Sequence, residues 1–304
     1  MPNWGEVLKE IQQESVKGPT APDIVRRRYL KRLFQLTKRN VIAYYSGFLS
    51  KPGIQLLDIN DEDMNGFMMA VHKLDRSKGL DLILHTPGGN IATTESLVTY
   101  LHTMFERDIR VIVPQIAMSA GTMIACSSRE IVLGKQSSLG PIDPQFRGIP
   151  AQGVINEFKQ ALLEYKQDPA SLQVWQSILQ QYRPTFLGQC KQAIEWTKSF
   201  VSDQLSTVMF AGDPDAKTKA ATIVEALSDT DVHKAHERHI PLTKCIDLGL
   251  KVRKLEDDPK LQDVVLTVHH CYMHTLMNTS AFKLIENHLG TGFVKHQLNN
   301  RSPQ

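Results

Sequence analysis

The chain has 304 residues, 41% of them hydrophobic, and carries 35 basic and 32 acidic side chains. This length can bury a sizeable core, and the near-balanced charge argues against nucleic acid as a partner. The four cysteines have no CxxC spacing, which is typical of a reducing cytoplasm. No apolar run approaches the roughly 20 residues of a membrane-spanning helix, so we expect a soluble cytoplasmic protein.

Residues 1–40 form a predicted helical head that contains a basic run from Arg26 to Arg32. Val25, Leu30 and Leu33 make an apolar stripe among these cations. The first interpretation is an amphipathic helix that packs on the body of the protein. The second is a peripheral contact with an anionic membrane surface through residues 25–39.

The body begins with strand-like runs that alternate with helical patterns. The runs are VIAYY (41–45), DLILH (81–85), IRVIV (109–113) and EIVLG (130–134). Such alternation is typical of βαβ units, so the sequence predicts an α/β fold with a mainly parallel sheet.

The second strand-like run ends in the motif HTPGG at residues 85–89. Pro87 stops the strand, and Gly88 and Gly89 free the backbone to present N–H groups toward a carbonyl oxygen. Asn90 is the predicted N-cap of the next helix. In an open α/β sheet, the edge where strands end is where sites gather.

The third strand-like run is followed by the motif MSAGT at residues 118–122. A serine between small residues at a sharp strand-to-helix turn is typical of a nucleophile elbow. The helix that starts after Ser119 directs unpaired N–H groups, Ala120 first, toward a developing oxyanion. We therefore predict Ser119 as a nucleophile, with Gly88, Gly89 and Ala120 lining an oxyanion hole.

With a third motif, SSLGPIDPQ at residues 137–145, this chain resembles the Clp-fold serine peptidases. It looks most like the serine dehydrogenase proteinase family, relatives of signal peptide peptidase A and the Clp proteolytic subunit. The resemblance covers roughly residues 40–255. It implies a Clp/crotonase-like fold of repeated ββα units, peptide hydrolysis without cofactor or metal, and assembly into trimers or rings.

A serine hydroxyl needs a base within hydrogen-bond reach, and the sequence leaves this base open. The Clp proteolytic subunit has a histidine where this chain has Asp143. Relatives of signal peptide peptidase A use a helical lysine, which makes Lys159 or Lys166 the first alternative, provided that burial lowers its pKa. The second alternative is His236, in the segment His233–His239, with Asp143 as its orienting partner.

Three units are predicted in all: the head at 1–40, a catalytic domain at 41–255 with a helical insert at 150–230, and a C-terminal unit at 256–304. The last is predicted as one long helix, Leu261–Leu289, with a polar tail. His270 and His274 on this helix are interpreted as a polar surface rather than a metal pair.

Three functions remain open. The first is a serine peptidase acting on extended or unfolded polypeptides through Ser119. The second is a catalytically inactive oligomeric scaffold of the same fold, and the third is a crotonase-like acyl-CoA enzyme. Self-assembly is expected because the insert has many apolar helical side chains: Leu162, Leu163, Trp175, Ile178, Leu179, Trp196 and Phe200.

Overall fold

A computed structural model describes residues 4–16, 18, 20–229 and 235–297 of the chain. The α-helices of these residues are α1 (Trp4–Ser15), α2 (Ala21–Thr37), α3 (Asp63–Val71), α4 (Ile91–Phe105), α5 (Ala120–Cys126), α6 (Ala151–Gln167), α7 (Leu172–Leu179), α8 (Phe186–Gln204), α9 (Ala216–Ser228), α10 (Leu242–Asp247) and α11 (Pro259–Asn278). A π-helical segment, Leu205–Met209, follows α8, and 3-10 turns occur at Arg76–Lys78, Pro169–Ser171 and Leu255–Asp257. None of these helices is both long and apolar enough to cross a membrane.

The strands form one large sheet and two small ones. They are β1 (Asn40–Ser46), β2 (Leu80–His85), β3 (Ile109–Val113), β4 (Ile116–Ala117), β5 (Glu130–Leu133), β6 (Ser138–Leu139), β7 (Gln145–Phe146), β8 (Ile149–Pro150), β9 (Ile240–Pro241), β10 (Val252–Lys254), β11 (Ala281–Asn287) and β12 (Gly292–His296). The large sheet has the order β10-β5-β3-β2-β1-β11-β12 and is parallel from β10 to β1. The predicted α/β fold with a mainly parallel sheet is confirmed.

Both faces of the large sheet are covered, which explains why its central strands are buried along their whole length. On one face, Ile42, Leu82 and Val111 pack with α3, α4 and α5 in the larger core. On the other face, Ala43 and Ile83 pack with α2 and α11. A separate small core around Val154 and Phe186 joins α6 to α8 in the insert.

The apolar stripe of α2 is used inside the molecule. Val25, Leu30 and Leu33 are each 0% exposed. Leu30 and Leu33 pack in the same core as α11. The basic run is also partly neutralised, because Arg26 pairs with the buried Glu286 and Arg28 pairs with α1. The interpretation that this helix packs on the body is confirmed, while membrane contact through residues 25–39 stays a prediction about its outer side chains.

The predicted long helix Leu261–Leu289 is wrong in its second half. The helix α11 ends at Asn278, and Ala281–Asn287 and Gly292–His296 are antiparallel strands at the edge of the large sheet. Strand β11 is buried on both faces, and its charged residues Lys283 and Glu286 are buried too. Lys283 and Glu286 are three residues apart, which is also the spacing of residues on one face of a helix. The sequence pattern therefore does not distinguish this strand from a helix. Residues 298–304 of the predicted tail lie outside the described residues.

The interpretation of the α11 histidines as a polar surface is also corrected. His274 is 4% exposed and its ring contacts Trp4, while the neighbouring His269 is 7% exposed and lies 3.3 Å from the Tyr45 hydroxyl. His85, at the end of β2, packs against Tyr45 and His269, and neither of its ring nitrogens has a hydrogen-bond partner in the described structure. This buried cluster therefore favours neutral imidazoles.

Stability should fall as this cluster is acidified. Burial lowers the pKa of His85 from 6.5 to about 3. Burial also lowers the pKa of His269 well below its ordinary value. The unfolded chain then binds protons that the folded chain does not bind. Stability that is fully present above the pKa of these histidines in the unfolded chain is therefore lost as the pH falls below that pKa. For His85 alone, the loss at pH 5 is about 2 kcal/mol.

Urea unfolding between about pH 7.5 and about pH 5 measures this effect. The His85→Leu variant should show a pH dependence weaker by about 2 kcal/mol than that of the unaltered chain. Equal pH dependence of the two proteins would exclude His85 as its source.

Candidate active site

Ser119 lies where the chain turns from β4 into α5. Its backbone has φ 49° and ψ −113°, a conformation that a non-glycine residue adopts only under constraint. The turn is held by two hydrogen bonds, from the Gly121 N–H to the Met118 carbonyl (2.7 Å) and from the Met123 N–H to the Ser119 carbonyl (3.1 Å). Strain of this kind at a half-buried serine is characteristic of a nucleophile elbow.

The HTPGG turn packs directly on this elbow. Two hydrogen bonds join them, from the Thr86 N–H to the Ile116 carbonyl (3.2 Å) and from the Met118 N–H to the Thr86 carbonyl (3.1 Å). Gly88 has φ +105°, and a Cβ built there would lie 2.8 Å from both the Met118 oxygen and the Ser119 Cβ. Only glycine allows this approach, so the two motifs form one structural unit.

The backbone N–H groups differ in their availability. The Gly88 N–H donates to the Thr86 hydroxyl at 3.2 Å and is therefore occupied. Gly89 forms a parallel bridge with Ile59 through its neighbours, because Ile59 donates to the Gly88 carbonyl and Asn90 donates to the Ile59 carbonyl. This pattern directs the Gly89 N–H away from Ile59.

Within the described part of the chain, the Gly89 and Ala120 N–H groups have no hydrogen-bond acceptor. Ala120 is the first residue of α5, where N–H groups have no partner inside the helix. Gly89 and Ala120 thus supply the free donors, whereas Gly88 supplies the close packing on which their positions depend. The predicted N-cap is present, since the Asn90 side chain accepts from the Thr93 N–H at 3.1 Å.

The third motif is tied to the elbow by a buried threonine. The Thr122 hydroxyl donates toward the Gly140 carbonyl at 2.8 Å and accepts from the Gly140 N–H at 3.0 Å. Strand β6, just before Gly140, pairs with β4, just before the elbow. Asp143 follows three residues after Gly140 and is 5% exposed. The acidic residue is therefore carried by a segment with a fixed position relative to Ser119.

His236 lies beside Asp143. Its Nδ1 is 2.8 Å from Asp143 Oδ1, and the two residues are 93 positions apart in the chain. An imidazole held by a carboxylate at Nδ1 has Nε2 left as the proton acceptor. His239, three residues later, makes a similar contact with the Ser138 hydroxyl at 2.7 Å. His233 and Lys234 of this segment lie outside the described residues.

The two lysines occupy different positions on α6, and both are exposed. Lys159 lines a cavity of about 340 Å³ together with Asp143, whereas Lys166 lies two helical turns further on and does not line it. The burial that the lysine alternative requires is missing at both positions. The described residues contain no group of three or more histidine, cysteine, aspartate or glutamate side chains suited to hold a metal ion.

Several positioning contacts were not predicted from sequence. Ile59 supplies the backbone that holds Gly89, and Thr86 and Thr122 supply buried hydroxyls to the two turns. Both threonines lie inside the HTPGG and MSAGT motifs, so their position in these motifs could have indicated their role. Ile59 lies in an irregular segment before α3, and its sequence carries no such signal.

A comparison with family models agrees with this geometry. The model of the ClpP-like SDH-type serine proteinases matches residues 20–285. The chain belongs to this family. The match extends from the start of α2 into β11, so it includes the second helix of the head and part of the strand that was predicted as a helix.

Curated relatives of this chain occur in Methanocaldococcus jannaschii. The chain is 29% identical to the uncharacterized protein MJ0137 over 214 residues, which is 70% of this chain and 65% of that protein. It is 32% identical to the uncharacterized protein MJ1495 over 111 residues, which is 36% of this chain and 37% of that protein. The matched part of the chain thus spans less than two thirds of the length of either relative.

Proposed function

We propose that this chain is a serine peptidase in which Ser119 is the nucleophile, His236 the general base and Asp143 the residue that orients His236. The observation that carries the proposal is the 2.8 Å contact between Asp143 and His236. Asp143 lies on a segment that the Thr122 hydroxyl joins to the strained turn at Ser119. Membership in the ClpP-like SDH-type serine proteinases supports the same reaction class.

In the proposed reaction, the Ser119 Oγ forms a bond to the substrate carbonyl carbon while its proton moves to His236 Nε2. The carbonyl oxygen becomes an oxyanion and accepts hydrogen bonds from the Gly89 and Ala120 N–H groups. Collapse of this intermediate breaks the C–N bond, and His236 returns the proton to the departing amine. Water, deprotonated by His236, then hydrolyses the acyl-enzyme and restores the Ser119 hydroxyl.

Extended or unfolded polypeptides are the proposed substrates. Ser119 is only half-exposed, and its donors belong to two tight backbone turns. A folded protein keeps most of its peptide bonds inside secondary structure, so a segment must be extended to bring a carbonyl onto this serine.

A fluorophosphonate probe tests the proposal, because it forms a covalent bond with activated serine hydroxyls. We expect labelling at Ser119, located by mass spectrometry of tryptic peptides, and no labelling of Ser119→Ala. Absence of labelling at Ser119 in the unaltered chain would favour the inactive scaffold. Labelling elsewhere would overturn the assignment of Ser119.

Self-assembly is proposed as well, through the outer face of the insert. Leu162 and Val174 are 62% and 64% exposed, and further apolar side chains lie exposed on the same insert: Leu163, Tyr165, Leu172 and Ile178. Phe200, predicted to belong to this face, is instead buried in the main core. An exposed apolar patch of this extent is typical of an interface, and a second copy of the chain is the proposed partner.

Light scattering at micromolar concentration should give a multiple of the 34.3 kDa chain mass, and a multiple of three would indicate a trimer or ring. The Leu162→Glu/Val174→Glu variant should lower this mass, because a charge in an apolar interface carries a desolvation cost. The exposed Gln160→Glu change on the same helix is the matched control. A monomeric mass for the unaltered chain would refute the proposal.

A further inference from the structure

The oxyanion turn rests on a segment that is held from outside the motifs. Ile59 donates its N–H to the Gly88 carbonyl at 2.8 Å and accepts from the Asn90 N–H at 2.9 Å. A Cβ built on Gly89 would lie 2.3 Å from the Ile59 nitrogen, so the two backbones are in direct contact. The position of the free Gly89 N–H therefore depends on the position of Ile59.

A buried ion pair holds the residues on either side of Ile59. The Lys283 Nζ donates to the Asp58 carbonyl at 2.6 Å and to both carboxylate oxygens of Asp63 at 3.0 Å. The Asn60 N–H donates to the same carboxylate at 3.1 Å. The side chains of Lys283 and Asp63 are both 0% exposed.

The same carboxylate also accepts a hydrogen bond from strand β1, because the Tyr44 hydroxyl donates to Asp63 Oδ2 at 2.9 Å. The Asp63 carboxylate is thus held by Lys283, by the Asn60 N–H and by Tyr44 together. Lys283 and Asp63 reach Gly89 of the turn through the backbone contacts of Ile59.

We propose that Lys283 and Asp63 are positioning residues that hold the oxyanion turn of the active site from the edge strand β11. This inference rests on the proposed peptidase function, since it assigns a role in that reaction. A buried ion pair carries a desolvation cost that an apolar pair would not, so it is weak evidence for stability alone. The hydrogen bonds of this ion pair to the Asp58 carbonyl and the Asn60 N–H hold the residues on either side of Ile59.

The molecule contains a matched control on the opposite face of the same strand. Glu286 pairs with Arg26, is also 0% exposed, and accepts a hydrogen bond from the Tyr272 hydroxyl at 3.0 Å. This second network joins β11 to α2 and α11, and the described structure shows no hydrogen bond from it to the HTPGG turn. The two networks thus have the same chemistry and different neighbours.

The test compares Lys283→Met/Asp63→Asn with Arg26→Met/Glu286→Gln. Each double variant removes both charges and leaves no unpaired ion buried. Peptide hydrolysis is measured below the unfolding temperature of both variants, and inhibition by a peptidyl boronate is measured in parallel. The boronate forms a tetrahedral adduct with an oxygen in the oxyanion hole, so its affinity reports on that hole.

For Lys283→Met/Asp63→Asn we expect kcat to fall by roughly 10- to 100-fold with little change in KM, and boronate affinity to fall in proportion. The Arg26→Met/Glu286→Gln variant should keep kcat and boronate affinity within about twofold of the unaltered chain. Equal effects of the two double variants would overturn the inference and leave a purely structural role.

Milder variants cover the case in which a double variant does not fold. Tyr44→Phe removes one hydroxyl that contacts Asp63, and Tyr272→Phe removes the corresponding hydroxyl that contacts Glu286. We expect a several-fold lower kcat for Tyr44→Phe only. Equal kcat values for these two variants would overturn the inference.

Amide hydrogen exchange separates this inference from the proposed function. Exchange of residues 58–60 and 86–90 should become faster in Lys283→Met/Asp63→Asn or Tyr44→Phe and stay unchanged in the matched controls, whether or not the protein hydrolyses peptides. Unchanged exchange there would refute the positioning role. An inactive unaltered chain would refute the peptidase, and with it the catalytic part of the inference.

Discussion

Replacing Ser119 by alanine is expected to lower the rate of casein hydrolysis by roughly three orders of magnitude or more. The substitution removes the oxygen proposed to form the acyl-enzyme, so the proposed reaction can no longer begin. The backbone of the turn should persist, because its hydrogen bonds are made by main-chain atoms of Met118, Ser119, Gly121 and Met123. Circular dichroism and thermal unfolding check that the fold is retained.

Ser127→Ala is the matched control for this substitution. Ser127 caps the other end of α5, where its hydroxyl donates to the Met123 carbonyl at 2.8 Å. Removing that bond costs about 1 kcal/mol of stability and touches none of the proposed catalytic groups. If Ser119→Ala and Ser127→Ala hydrolyse casein equally fast, Ser119 is not the nucleophile.

Replacing His236 by alanine is expected to lower kcat by roughly 10²–10⁴-fold, which is the usual contribution of a general base. Asp143→Asn should have a comparable effect, because an amide no longer stabilises the imidazolium that forms when the proton is transferred. Steady-state kinetics with a peptide substrate measures both effects.

The lysine alternative supplies the controls. Lys166→Ala and Lys159→Ala should retain activity within about tenfold, because both side chains are exposed and the described structure shows no hydrogen bond from either to Asp143 or His236. His239→Ala tests whether the loss is specific to His236, since His239 contacts Ser138 instead. A loss in Lys159→Ala as large as that in His236→Ala would return the lysine to the role of base.

The sequence alone was sufficient to predict the two turns of the candidate site. HTPGG and MSAGT follow successive parallel strands, and such strands end at the same edge of a sheet. The lack of a side chain at Gly88 allows the close approach of this turn to Met118 and Ser119 that the structure shows. These features are local: a strand, a proline, a glycine and a helix start are all encoded by neighbouring residues.

The sequence offered the Asp143–His236 pair only as the second alternative, behind the lysines of α6, because local patterns do not show which side chain reaches Asp143. His236 is 93 residues away and comes beside Asp143 in a region where β9 pairs with β6, a contact that no periodicity reports. The sequence offered lysines on α6 as well, and only burial in the folded chain distinguishes an exposed lysine from a desolvated one. Exposure is a property of the packed molecule.

The edge strand β11 shows the same limit. The sequence was interpreted as one helix that extended to Leu289, whereas Lys283 and Glu286 lie in a strand. In the folded chain each is neutralised by a partner more than two hundred positions away, Asp63 for Lys283 and Arg26 for Glu286. Local sequence determined the parallel strands and the two turns of the candidate site, because neighbouring residues set backbone conformation. Tertiary structure decided which charges are buried and paired, because that depends on residues brought together only by folding.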